Sequence, residues 1–113
     1  MITITNNAVT DTHTAWYNSV DSESKTAEFA DVAGQTNTYA FYAPELTLKS
    51  IPLDWAYNFQ AWIISGQGEI NSETVVAGDK VDITDHPSFF VRTRMDEELA
   101  LVVVKTKVDA PTA

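Results

Sequence analysis

From Thr38 onward the chain is dominated by short runs in which apolar and polar side chains alternate: TYAFY, ELTLKSI, YNFQAWIIS, ETVV, KVDI, SFFVRTR and LALVVVKT. A period of two sends successive side chains to opposite faces of a strand, and the β-branched and aromatic residues that fill these runs suit a pleated, half-buried surface. Turn signals break the runs at short intervals, and no long amphipathic helix competes with them. The pattern predicts an all-β chain closed into a barrel or a two-sheet jelly roll.

The face assignment is clearest in SFFVRTR. Phe89, Val91 and Thr93 share one face and are expected inward, while Phe90, Arg92 and Arg94 share the other. Connections are expected at GQGE, NSE, AGD, DHP and RMDEE. Ahead of Gly34 the text is polar and irregular. The apolar touches ITIT, TAWY and EFADV are read as two or three short strands around an exposed loop at 18 to 25, with a small helix near 26 to 32 as an option. One domain is expected, with 1–37 as N-terminal strands and polar loop packing on the barrel, 38–106 as the barrel core and 107–113 as a frayed tail.

At 113 residues and 44% hydrophobic, the chain can bury one real core. Sixteen acidic against seven basic side chains give a net charge of -9, which repels phosphate backbones and anionic membrane surfaces at long range. Neither nucleic acid nor membrane is expected as a partner. The chain has no cysteine, which excludes disulfides, thiolate nucleophiles and cysteine-ligated metals. The opening MITITNNAVTDTHT lacks a basic and an apolar leader region, so a soluble, cytoplasmic protein is the expectation.

Two short apolar strands flanking SGQGEI, a hairpin, and then AGDKVDI leading through a turn into FFVRT follow the order of the central barrel of the cupins, which this chain resembles over about positions 38 to 106. Within that superfamily it looks most like the metal-free C-terminal barrel of pirin-like and quercetinase-like bicupins, on WIISGQGEINSETVVAGDKVDITDHPSFFVRT followed by LALVVVKT. The resemblance implies a cupin-type jelly roll. It does not by itself imply a chemistry, because this scaffold hosts many.

Metal-binding cupins place two imidazoles, a carboxylate and a third imidazole in the lumen. Aligning Gly66 with the glycine that closes the first motif puts the carboxylate position at Phe59 and the paired imidazoles at Leu53 and Trp55, or at Pro52 and Asp54. Aligning Gly78 with the first residue of the second motif puts the remaining imidazole at Phe89. No metal and no cofactor are therefore expected. His86, in the DHP turn, and His13 are the chain's only two histidines, so a three-imidazole site within one chain is ruled out.

With Phe59, Ala61, Ile63, Phe89, Val91 and Thr93 inward, Leu46 and Leu48 are expected to join them, together with Tyr39/Phe41 or Ala40/Tyr42. Two outcomes follow: a solidly packed core, or an open aromatic-rimmed pocket for a small organic molecule. In the second, the binding residues are Leu48, Trp55, Phe59, Gln60, Ile63, Phe89, Val91 and Thr93, with Gln60 or Thr93 supplying a hydrogen bond. Outer positions Trp62, Ile64 and Phe90 suit a homodimer contact. The expected function is a metal-free cupin that binds a small apolar or aromatic molecule, or a homodimeric interaction module. The alternatives are a metal-independent isomerase, epimerase or lyase using His13, His86, Tyr39, Tyr42 or Tyr57, and a metal-dependent dioxygenase with ligands elsewhere in register.

Overall fold

A computed structural model describes residues 2–21, 25 and 36–108, with side chains described except at 37, 51–55, 86 and 87. In chain order the elements are β1 (Ile2–Thr5), α1 (Asp11–Ser19), β2 (Thr36–Ala43), β3 (Leu48–Ile70), β4 (Glu73–Val76), β5 (Lys80–Arg92) and β6 (Leu99–Lys107). Among the described residues the strands form one antiparallel sheet in the order β1-β5-β3-β6-β2, with β4 paired to β3. The expectation of an all-β jelly roll holds, with one short helix added.

Closure comes from the length of β3. Its first part pairs along β5 from Leu48↔Arg92 to Trp62↔Lys80, and its last residues return to the other edge of β5 at Glu69↔Arg92 and Ile70↔Val91. Such curling covers the second edge of β5. The β3–β4 turn carries Asn71 and Ser72 at φ 47° and 73°, as a two-residue hairpin loop requires. Asn71 then pins that turn to β5: its Oδ1 accepts from the Phe90 N–H at 2.7 Å, and its own N–H donates to the Phe90 carbonyl at 2.8 Å.

Two predicted connections turn out to lie inside strands. GQGE sits within β3, where Gly66 at φ +88° marks an irregularity and a Cβ would overlap the Glu98 carbonyl. DHP sits within β5, where Asp85 at φ 52° takes a bulge and its N–H donates to Asn58 Oδ1 at 2.8 Å. Glycine and turn residues mark bulges as well as reversals, and sequence alone does not separate the two.

The TAWY segment is helical, not a strand. Thr10 caps α1, with its backbone N–H donating to His13 Nδ1 at 3.0 Å. His13, Tyr17 and Val20 then line one helical face against the sheet: Tyr17 packs with Ala40, Ala100 and Val102, and His13 stacks on Trp62 with ring centroids 4.7 Å apart. The suggested helix near 26 to 32 lies outside the described residues.

The barrel core comprises Phe41, Ala43, Tyr57, Phe59, Ala61, Ile63, Ile70, Val75, Val81, Ile83, Phe89, Val91, Leu99, Leu101 and Val103. The open choice in β2 is thereby resolved: Tyr39 and Phe41 face the barrel, Ala40 and Tyr42 face the helix. No helix among the described residues is long and apolar enough to cross a membrane.

Candidate functional site

Strand parity brings four of the predicted binding residues together inside the barrel. Phe59 and Ile63 from β3 and Phe89 and Val91 from β5 are all essentially inaccessible, and the Phe59 and Phe89 rings lie 5.2 Å apart at a 38° tilt. The two positions that the motif alignment equates with the metal's carboxylate and its third imidazole thus do meet in space. Both carry a phenyl ring, which offers an ion no lone pair. Among the described residues no group of three or more His, Cys, Asp or Glu side chains is placed so that it could hold a metal ion, and His13 is engaged on the outer face within α1. This donor chemistry does not fit a metal centre.

A lumen group that sequence reading missed stands beside these rings. Lys105 is 2% exposed, opposite Phe59 on β6. Its ammonium lies 4.6 Å from the centroid of the buried Tyr57 ring and 5.5 Å from that of the half-buried Tyr39. Cation–π attraction of this kind strengthens on desolvation. Among the described residues no buried side-chain nitrogen or oxygen lacks a hydrogen-bond partner, so the ammonium is held in place. The signal was available: Leu99, Leu101, Val103 and Lys105 share the inward parity of LALVVVKT.

The remaining predicted residues are not gathered there. Leu48 and Leu46 do not face the lumen; they are 73% and 64% exposed, because β3 begins only at Leu48 and Leu46 lies in the preceding loop at φ 61°. Gln60 is exposed on the outer face, as the parity of its neighbours Phe59 and Ala61 demands. Thr93 is buried as expected, yet its hydroxyl donates to the Pro44 carbonyl at 2.6 Å and accepts from the Thr47 N–H at 2.9 Å, so it ties two loops together. The side chains of Trp55 and His86 lie outside those described. Trp62 and Ile64, expected on an open outer face, are partly buried beneath α1.

Leu48 and Thr93 nevertheless share a second location. Together with Leu46, Thr47, Arg92, Arg94 and Met95 they line an open recess of about 490 Å³ at one end of the barrel. Next to it, Tyr42, Pro44, Glu45, Asp96, Glu97 and Glu98 surround an acidic hollow. There the Tyr42 hydroxyl donates to Glu98 Oε2 at 2.6 Å, a bond that raises the Tyr42 pKa above the ordinary phenol range. Burial, aided by the charge of Glu98, raises that of Tyr17.

No family model and no curated protein matches the chain. A solved structure does: a cupin protein from Bacteroides fragilis superposes with a TM-score of 0.52 at 15% identity, covering 79% of this chain and 91% of that one. The fold is that of a cupin. At this identity the likeness concerns the cupin fold alone, and the chemistry must be argued from the side chains above.

Proposed function

We propose that this cupin domain works without a metal and binds a small aromatic molecule in its lumen beside Tyr39, Tyr57 and Lys105, with Phe59 and Phe89 as an apolar floor. The observation that carries this reading is the replacement of ligating atoms by two packed phenyl rings, next to a fixed cation over a tyrosine face. Aromatic walls supply area and orientation, and a single charged group supplies specificity. Tyr39 is the half-buried member of the set, so it is the side chain at which a ligand would enter. The reading agrees with the likeness of the sequence to the metal-free barrels of pirin-like bicupins.

Elemental analysis of the purified protein tests the first half: one tightly held transition ion per chain would overturn it. Titration against a panel of aromatic metabolites, neutral and anionic, followed by protein-observed NMR tests the second. Saturable shifts at Tyr57, Phe59 and Lys105 are expected, and silence across the panel would reject a lumen ligand. The metal-independent isomerase reading gains no geometric support from the described side chains, which do not include that of His86, since His13 and Tyr42 lie on the helix side of the sheet while Tyr39 and Tyr57 face the barrel.

A further inference from the structure

The chain has two arginines, Arg92 and Arg94, and both line the recess at the barrel end. Around them stand the three most exposed large apolar side chains among the described residues, Leu46, Leu48 and Met95, at 64%, 73% and 70%. Exposed apolar groups scattered singly need no explanation; three of them converging on one concavity with both guanidinium groups do.

The recess is built on fixed backbone. The loop at 44–47 and the turn after β5 are joined by the Thr93 N–H to the Thr47 carbonyl at 2.9 Å, the Leu46 N–H to the Arg94 carbonyl at 3.3 Å, and the Asp96 N–H to Glu45 Oε2 at 2.9 Å, besides the two bonds of the Thr93 hydroxyl. Leu46 itself is held at φ +61°. A leucine in the left-handed region is disfavoured relative to glycine or asparagine, and leaving its side chain in water forgoes any burial that could offset this. Stability of the free chain therefore does not explain a leucine at this position, whereas contact with something apolar would.

Among the described ion pairs the two arginines of the recess share one partner, while the carboxylates of Glu45, Asp96, Glu97 and Glu98 surround the adjoining hollow. Arg94 Nη2 and Arg92 Nε approach the same Glu69 Oε2, at 3.5 and 3.9 Å. Both separations exceed an ordinary charge-assisted hydrogen bond, so one carboxylate loosely balances two guanidinium groups. A guanidinium presents its donors as a planar fork that matches a carboxylate. The molecule as a whole, at net charge -9, repels anions of high charge, which favours a ligand with a single negative charge.

We propose that this recess is a binding site for an amphipathic monocarboxylic acid, its carboxylate between Arg92 and Arg94 and its aliphatic tail against Leu46, Leu48 and Met95. The site is separate from the lumen and does not rest on the reading given for it.

The test uses octanoate, with 1-octanol and acetate as matched probes lacking the charge or the tail, by calorimetry and by amide shifts in protein-observed NMR. Octanoate should bind saturably, with shifts at Leu46, Thr47, Arg94 and Met95, while octanol and acetate bind at least about ten-fold more weakly. Arg94→Ala and Arg92→Ala should each weaken octanoate about ten-fold. Glu69→Gln, by removing the competing carboxylate, should tighten it. Leu46→Asn should raise the Tm while weakening octanoate, a pairing that a purely structural leucine would not give. Equal binding of octanol, unchanged binding in both arginine variants, or shifts confined to the lumen would overturn the proposal. So would sedimentation showing a dimer whose formation protects Leu48 and excludes octanoate.

Discussion

Phe59 and Phe89 are both buried in the barrel core, so truncation leaves a cavity as well as losing transfer energy. Phe89→Ala is expected to destabilise by about 3–5 kcal/mol in denaturant melts, and a loss under about 1 kcal/mol would mean that the lumen is not packed at this level. Glycine supplies a sharper contrast. Gly66 and Gly78 both have positive φ, at +88° and +95°, but a Cβ at Gly66 would meet the Glu98 carbonyl, whereas at Gly78 the nearest heavy atom, Asn7 Oδ1, is 4.0 Å away. Gly78→Ala should therefore cost only the backbone term, about 1–2 kcal/mol, and Gly66→Ala clearly more, because β3 must move away from the turn ahead of β6. Equal Tm losses in the two variants would contradict the steric account. At this scale the inward parity of Phe59, Ile63, Phe89 and Val91 was legible in the sequence. The buried Lys105 was equally open to the same parity argument, but a lysine at an inward position runs against the usual partition of charged residues.

At the scale of elements, α1 is the least expected and the least anchored. Only Tyr17 of the helix is fully buried, and the helix meets the sheet through Tyr17, His13 and the following Val20. Local opening of α1 should thus precede global unfolding, with its amides exchanging faster than those of β3, β5 and β6 in hydrogen-exchange measurements. Tyr17 and Tyr42 sit at this interface with raised pKa values. Because the folded state holds both phenols protonated, the stability they contribute is complete below the ordinary tyrosine range and is lost as pH rises through their raised folded values. A tyrosinate absorbance titration should show part of the signal above the ordinary range, and Glu98→Gln should move that part down. Sequence reading missed α1 because a nine-residue segment bearing one buried side chain carries little periodic signal. The 13, 17, 20 spacing is visible only once the sheet face that it covers is known.

At the scale of the whole molecule, the pairings that close the barrel join distant parts of the chain: Ile2 with Ile83, Thr36 with Thr106, and Leu48 with Arg92. Loop closure must precede the reward from such contacts, so refolding is expected on the order of milliseconds to seconds, and a stopped-flow phase in microseconds would be inconsistent with this topology. The amino-acid sequence alone determined the strand class, the inward faces of β3 and β5 and the phenyl side chains of Phe59 and Phe89, at two of the positions that the motif alignment equates with metal ligands. These follow from side-chain alternation and chemistry, which are local properties. Tertiary structure alone decided that GQGE and DHP lie within strands, that Leu48 points to water, that α1 covers Trp62, and that both arginines meet three exposed apolar side chains at one end. Each of these depends on which distant strand or loop lies alongside, and sheet closure fixes that only when the whole chain has folded.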